Sequence, residues 1–299
     1  MTGAPMPDGA NAVLPVEGTE LQNDNMLAIS EVSVGKHVGV VGEDVAVGAK
    51  ILAAGRQLRP QDLGVLSSIG CRNVPVFKRP VVRILITGNE LLPQGEEPRG
   101  YQIADANGPM LRSLVSRDGG IPEMPPIICD DQDHLLTAMR EPADVILISG
   151  GSSVGQEDHA PQILAQYGTL AIHGIAMRPS SPAGMGTLNG AFVFLLPGNP
   201  VSCLCAYDFF AGRVIRALGG RNEDWRYRRV VATLTRKIVS TVGRVDYARV
   251  KLDGATAEPI AVSGASVLSS TTQADGFVII PTDSEGFPAN STVEVFCYD

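Results

Sequence analysis

Four groups of polar side chains stand beside apolar runs, where turns bring chemistry to a strand end or a helix start. They are Thr87, Asn89 and Glu90; Asp105 and Asn107; the run from Ser149 to Asp158; and Met177-Arg178-Pro179-Ser180-Ser181-Pro182. If these turns converge, they offer backbone N–H donors, a few carboxylates and one arginine. That equipment suits a phosphate held with a divalent metal. Carboxylate oxygens bind Mg²⁺, the metal bridges phosphate oxygens, and the guanidinium adds a planar fork of donors. The usual nucleotide loops are absent, since there is no Walker lysine and no GxGxxG after the first strand. The serine-rich turn lacks a His–Asp pattern that would make a serine nucleophilic. His159 and His173 read as surface or packed residues. Plainer readings stand beside these. Asp105 also reads as a helix cap, Asp158 as a first-turn carboxylate favoured by the helix dipole, and Glu90 as an ordinary surface carboxylate.

The elements that must position these groups follow from the apolar pattern. Asp144-Val145-Ile146-Leu147-Ile148-Ser149 reads as a buried parallel strand, and Gly150-Gly151-Ser152-Ser153-Val154-Gly155 as a turn of small residues after it. A second such turn, Pro197-Gly198-Asn199-Pro200, follows the apolar run Phe192 to Leu196. Each opens a helix, so the two together point to a shared anion site at strand ends. Val81 to Thr87 and Ile127-Ile128 read as further strands. Asp105-Ala106-Asn107 and Asp130 or Asp131 read as helix caps. The fold class expected is an α/β central domain, a largely parallel sheet between helix layers, over residues 80–222. A partial β-rich, loop-rich domain precedes it over 1–48, with Val13–Val16 and His37–Val41 as strand-like runs; it starts abruptly and is not expected to close its own core. Residues 49–79 form a linker segment with a short helix from Pro60 to Gly70 and a strand from Cys71 to Phe77. Residues 223–299 read as a small C-terminal β-barrel.

Composition narrows the partners. Of 299 residues, 44% are hydrophobic and 19% charged, as in an ordinary globular protein. Aromatic residues at 5% leave little for base stacking, and a formal charge of −8 argues against nucleic acid or an anionic membrane surface. The five cysteines match no zinc spacing and suit a reduced cytoplasmic interior. No apolar run is long enough to span a bilayer, and the first residues have neither a basic nor an apolar leader.

Several of these motifs resemble one family. Ser149 to Gly155 with Asp158 resembles the "SGGVSVG…D" motif of molybdopterin molybdenumtransferases, a module also present in gephyrin. Leu196-Pro197-Gly198-Asn199-Pro200-Val201-Ser202 is similar to their "LPGNPVS", Thr87-Gly88-Asn89-Glu90-Leu91 to "TGDEL", Met1 to Pro5 to "MTGAP", and Gly42-Glu43-Asp44 to "GED". The likeness extends over essentially the whole chain. It implies the insertion of molybdate into adenylylated molybdopterin with release of AMP, a Mg²⁺ cofactor, and a homodimer whose cleft is shared between subunits. Carried over by position, Glu90 and Asp158 are metal carboxylates and, with Asp105, catalytic residues. Ser149, Gly150, Gly151, Ser152, Gly155, Pro197, Gly198, Asn199 and Pro200 cradle the substrate, with Arg178 and Ser181 nearby. Thr2 and Asp44 reach across from the partner.

The sequence departs from the family at several places. Ser180-Ser181 replaces the Gly-Lys of "PGKP", Val38 to Val41 replaces the basic residues before "GED", and Asn89 replaces the Asp of "TGDEL". The "SAMDGYA" segment does not stand before Met1, so the expectation is a fragment or a shortened paralogue. The lost lysine and basic run favour a second reading, a catalytically weak molybdopterin-binding or scaffold paralogue.

Overall fold

A computed structural model describes residues 2–150, 159–261 and 264–298. The chain divides into two compact units, residues 1–56 and 57–299.

In the N-terminal unit a 3₁₀ turn, Val16–Gly18, leads into an antiparallel hairpin, Thr19–Gln22 with Asn25–Ala28. Asn23 and Asp24 both adopt positive φ, as a two-residue hairpin turn requires. The expected strands at Val13–Val16 and His37–Val41 do not form. Their surroundings meet only through single bonds, Val13 N–H to Lys36 O at 3.1 Å and Gly35 N–H to Asn11 O at 2.7 Å. Gly35 and His37 at φ 79° and 58° interrupt any extended ladder there. None of the described residues of this unit is buried, and Val41 and Val47 are fully exposed. The unit therefore has no apolar core of its own.

The second unit opens on the helix Pro60–Ser68, started by proline at its first turn as its sequence predicts. Cys71–Phe77 is not a strand; the chain there is exposed and unpaired by any ladder. The central sheet has six strands in the order Ile121–Glu123, Val81–Ile86, Val145–Ser149, Ala191–Leu196, Gly184–Leu188 and Thr169–His173. The first four run parallel, and Gly184–Leu188 runs antiparallel to both its neighbours. The expected strand at Ile127-Ile128 is reduced to a single bridge between Ile128 and Thr87.

Side-chain alternation sorts the sheet into two faces. Val82, Ile84, Ile86, Val145, Leu147, Phe194 and Leu196 pack against the helix Asn107–Asp118 and the helical run after Pro200. Leu85, Ile146, Ile148, Val193 and Leu195 pack against the helices Gln132–Arg140 and His159–Tyr167. The run after Pro200 is one continuous rod to Leu218, with a π-helical turn, Tyr207–Ala211, in its middle.

The C-terminal part is a closed five-stranded barrel. Arg228–Leu234 pairs with Thr292–Cys297, which pairs with Gly276–Ile280, then Val245–Asp253, then Thr256–Ala261. That last strand returns in parallel to Arg228–Leu234 and closes the ring, so neither of those strands is left with an open edge.

A buried ionic network joins the helices to the barrel's first strand. Asp118 accepts from Arg117 Nη2 at 2.9 Å, Arg216 Nη1 at 2.9 Å and Tyr207 OH at 3.0 Å. Asp208, in the π turn, accepts from Arg117 Nη2 at 2.9 Å and Tyr227 OH at 2.7 Å, and its carbonyl takes the Trp225 Nε1–H at 2.8 Å. Burial pushes the Asp208 carboxyl above its ordinary value, against the pull of Arg117. Arg216→Leu removes one donor from a buried carboxylate and is expected to destabilise the protein by about 3 kcal/mol. Urea unfolding checks this, and the double variant Asp118→Leu/Arg216→Leu should recover part of the loss.

Candidate functional site

Three adjacent parallel strands end at one level, where Ile86 pairs with Ser149 and Ser149 with Leu196. Beyond those ends lies a pocket of about 690 Å³. This is where an open α/β sheet binds ligands.

Each wall has a local cause. After Val81–Ile86, Thr87 N–H donates to Ser149 O at 3.0 Å and Gly88 N–H to Ile128 O at 3.2 Å, which carries the sheet one step further. A two-residue parallel pair, Leu91–Leu92 with Ile103–Ala104, then folds the Pro/Gly loop back on itself. Ile103 N–H donates to Glu90 O and Asp105 N–H to Leu92 O, both at 2.9 Å, so the Glu90 and Asp105 segments run side by side. Gly150 must be glycine. Its φ is 99°, and an added Cβ would lie 2.2 Å from Thr87 O. The third turn is Pro197 to Pro200.

Asn107 ties these turns together. Its Nδ2 donates to Ser149 Oγ at 2.9 Å and to Gly198 O at 2.7 Å. Asp105 accepts from the Asn107 and Gly108 backbone N–H groups at 2.9 and 3.0 Å. The capping reading of Asp105 therefore holds, and the same residue lines the pocket.

The structure brings Glu90, Asp105, Ser149, Gly150, Pro197, Gly198, Asn199 and Pro200 to one pocket. It does not place Arg178 or Ser181 among the lining residues. Arg178 Nη2 is instead bound to the fully buried Asp246, which also accepts from Arg244 Nε at 3.0 Å and Ser240 Oγ at 2.8 Å. The physical reason is pairing: Met177–Arg178 runs parallel to Val245-Asp246 and sets the two charges together. Ser181 is exposed, and its neighbour Pro182 lines the pocket. Thr2 and Asp44 are exposed residues of the N-terminal unit. Gly151, Ser152, Gly155 and Asp158 lie outside the described residues.

Backbone donors are fewer than two free helix starts would give. Pro200 has no N–H, and Val201 N–H donates to Ala265 O at 2.9 Å. The first donors of the other helix go to Asp105.

Two polar lining residues were not foreseen from the sequence. Asp130 lines the pocket and forms a reciprocal pair with Asn89, each backbone N–H donating to the other's side-chain oxygen at 3.2 Å. The signal was the doublet Asp130-Asp131. Only one can cap the helix, and Asp131 does so by accepting from His134 N–H at 2.9 Å, which holds its carboxyl below the ordinary value. Ser266, from the segment that docks on Val201, also lines the pocket. No local pattern marks it.

The described lining thus holds three carboxylates, Glu90, Asp105 and Asp130, and no cationic side chain. Among the described residues no three His, Cys, Asp or Glu side chains stand close enough to form a complete metal cage. Mg²⁺ needs only one or two protein carboxylates when substrate phosphates and water complete its shell, so the donor set fits that mode.

Comparison with known proteins agrees with this architecture. Residues 1–70 match the "MoeA N-terminal region (domain I and II)", 83–217 a "Probable molybdopterin binding domain", and 231–297 the "MoeA C-terminal region (domain IV)". Molybdopterin molybdenumtransferase 2 of Mycobacterium tuberculosis is 31% identical over 311 residues, spanning 99% of this chain and 76% of that protein. The molybdopterin molybdenumtransferase of Staphylococcus aureus is 29% identical over 303 residues, spanning 99% of this chain and 72% of that protein. The crystal structure of a MoeA molybdopterin biosynthesis protein from Pyrococcus superposes with a TM-score of 0.83 at 32% identity, over 98% of this chain and 73% of that one. The chain belongs to the MoeA family of molybdopterin molybdenumtransferases.

Behind the pocket, Cys203 Sγ lies 3.7 Å from Ser149 Oγ, and burial pushes its thiol up to about 12. The native state thus favours the neutral thiol. Its contribution is intact below the ordinary value of 9.0 and is lost as pH rises from there towards 12. At pH 8 a thiol reagent should label the exposed Cys71 and Cys129 in the native protein, and reach the buried Cys203, Cys205 and Cys297 only after unfolding. Mass spectrometry of the labelled peptides checks this.

Proposed function

We propose that this chain is a cytoplasmic enzyme of molybdenum cofactor biosynthesis that inserts molybdate into adenylylated molybdopterin and releases AMP. The observation that carries the reading is a pocket walled by three carboxylates at three parallel strand ends, beside the start of the family's glycine turn. A phosphoanhydride would be repelled by such a wall unless a cation stood between them. Glu90 and Asp158 would hold that cation, Mg²⁺, and the bound ion would stabilise charge on the phosphate oxygens as AMP leaves. Asp105 caps the helix at the pocket edge, where its carboxylate is held by two backbone N–H groups. Ser149, with its hydroxyl held by Asn107, and the Pro197–Pro200 turn would orient the substrate, and Gly150 to Gly155 would receive its phosphate. Thr2 and Asp44 would complete the site from a partner subunit in a homodimer. That none of the described residues of the N-terminal unit is buried supports a partner surface there.

One observation favours a second reading, a catalytically weak molybdopterin-binding or scaffold paralogue. The position of the family lysine is the neutral Ser181, and the nearby cation Arg178 is committed to Asp246.

AMP release from adenylylated molybdopterin, with and without Mg²⁺, separates the two. The enzyme reading expects metal-dependent turnover, a drop of about 100-fold or more in Asp158→Asn and Glu90→Gln, and a lower molybdate requirement in Ser181→Lys. Turnover indifferent to metal would overturn the assigned carboxylate role, and binding without turnover would favour the scaffold. Gly198→Leu is a direct test of the pocket. Among the described residues the nearest atom to an added Cβ is Gly150 Cα at 3.8 Å, so the fold should survive while molybdopterin binding is lost. Sedimentation should show a dimer at micromolar concentration.

A further inference from the structure

The far end of the helix Asn107–Asp118 gathers arginines. Arg79 donates from Nε to Gly119 O at 3.0 Å and from Nη2 to Gly120 O. Arg221 and Arg226 both reach Arg117 O, from Nη1 at 3.4 and 3.2 Å, so their guanidiniums are neighbours. Arg221 also covers Gly119: a Cβ added there, where φ is 91°, would stand 2.5 Å from Arg221 Cζ. The plain reading is capping, since cations suit a helix C-terminus. Capping does not account for the amount of charge. A helix end presents about half a negative charge, and three guanidiniums stand on it. The carboxylates nearby are already taken, Asp118 by Arg117 and Arg216, and Asp208 by Arg117. The connected group thus holds five guanidiniums and two carboxylates. Among the described residues no carboxylate forms an ion pair with Arg79, Arg221 or Arg226, the exposed Glu223 and Asp224 of the same loop included.

Like charges so placed repel. Burial, with Arg226 and Arg79 beside it, holds the Arg221 guanidinium below its ordinary value. Water can satisfy guanidinium N–H groups but brings no counter-charge, and a cation would add to the excess. Only an anion relieves it. Arg79 and Arg226 are exposed and Arg221 is half-buried, so donors they do not spend on the helix end are open to a ligand. A guanidinium fork suits the paired oxygens of a phosphate. We propose that Arg79, Arg221 and Arg226 form a second binding site, for a multivalent phosphate-type oxyanion, at the end of this helix remote from the pocket. The twelve-residue helix, about 18 Å long, separates it from Asn107. Because its charge comes from side chains, this site needs no metal to receive an anion. The proposal stands apart from the molybdopterin reading, which rests on the pocket.

The test titrates pyrophosphate calorimetrically into the full chain, in chloride buffer with EDTA so that no divalent metal bridges it to the pocket carboxylates. The wild type should bind, and the affinity should fall about tenfold or more in Arg221→Gln/Arg226→Gln, which removes two charge-assisted contacts. Arg226→Gln alone should show part of that loss. Arg226 is exposed and gives the fold one hydrogen bond, so this variant tests the site even if the double variant fails to fold. Inorganic phosphate should bind more weakly than pyrophosphate and lose affinity in the same variants. No binding by the wild type overturns the proposal. Equal binding by wild type and variants also overturns it, because the anion then sits elsewhere. Displacement by chloride at equal concentration overturns it too, by showing an adventitious ion only. None of these failures touches the molybdopterin reading.

Discussion

The two hydrogen bonds from the Asn107 carboxamide hold the pocket in its shape. A strand end, a helix start and a loop turn come from sequence positions some forty and ninety residues apart, at separations of 42 and 91. Sheet hydrogen bonds align Ser149 with Leu196, but the ladder stops there and cannot fix the turns beyond it. One amide with two donors in a fixed geometry does so, because its N–H groups diverge by the planarity of the group. Around it the other constraints are steric. Gly150 can approach Thr87 only without a side chain, and Asp105 straps the helix start by taking two backbone donors.

The same helix that begins at the pocket ends in the ionic network. Asn107 stands at one end of a twelve-residue helix, and Arg117 and Asp118 at the other. There Asp118 and Asp208 share Arg117, Arg216 ties the rod after Pro200 to the same carboxylate, and Tyr227 carries the network to the barrel's first strand. The π turn supplies the extra residue that turns Asp208 into this network. Apolar rings surround it. Trp225 meets Phe209, Phe277 and Phe296 edge-on at 4.7, 5.6 and 5.0 Å, a geometry aromatic pairs favour. Barrel and sheet are thus joined by a polar clasp inside an apolar contact.

Acidity runs from the whole chain to its site. A formal charge of −8 does not exclude a small anionic ligand, since local backbone dipoles can bind one, but three carboxylates in the described pocket lining oppose a phosphate there unless a cation stands between them. The helix starts have few donors left to offer. This is why a divalent cation is central to the proposed chemistry, and why Arg178, locked to Asp246, cannot be counted as its substitute.

Much of this was legible in the residues themselves. The strand–helix alternation from Val81 onward, the glycine at 150 after Ser149 and the proline turn after Leu196 follow from hydrophobic period and local stereochemistry, which act over a few residues. The motif resemblance assigned the family for the same reason: glycines and prolines at fixed offsets answer to backbone geometry that does not change with surroundings. What tertiary structure alone decided was pairing. Nothing local distinguishes Arg178 as the partner of Asp246, since the bond depends on a parallel register between segments 68 residues apart. Asp130 and Ser266 reach the pocket only because other elements set them there. In the N-terminal unit, apolar runs at 13–16 and 37–41 suggested strands, but a strand needs a ladder, and two positive-φ residues denied it one. Local sequence determines which conformations a segment can take; which side chains meet is set by register and packing between segments that are distant in the chain.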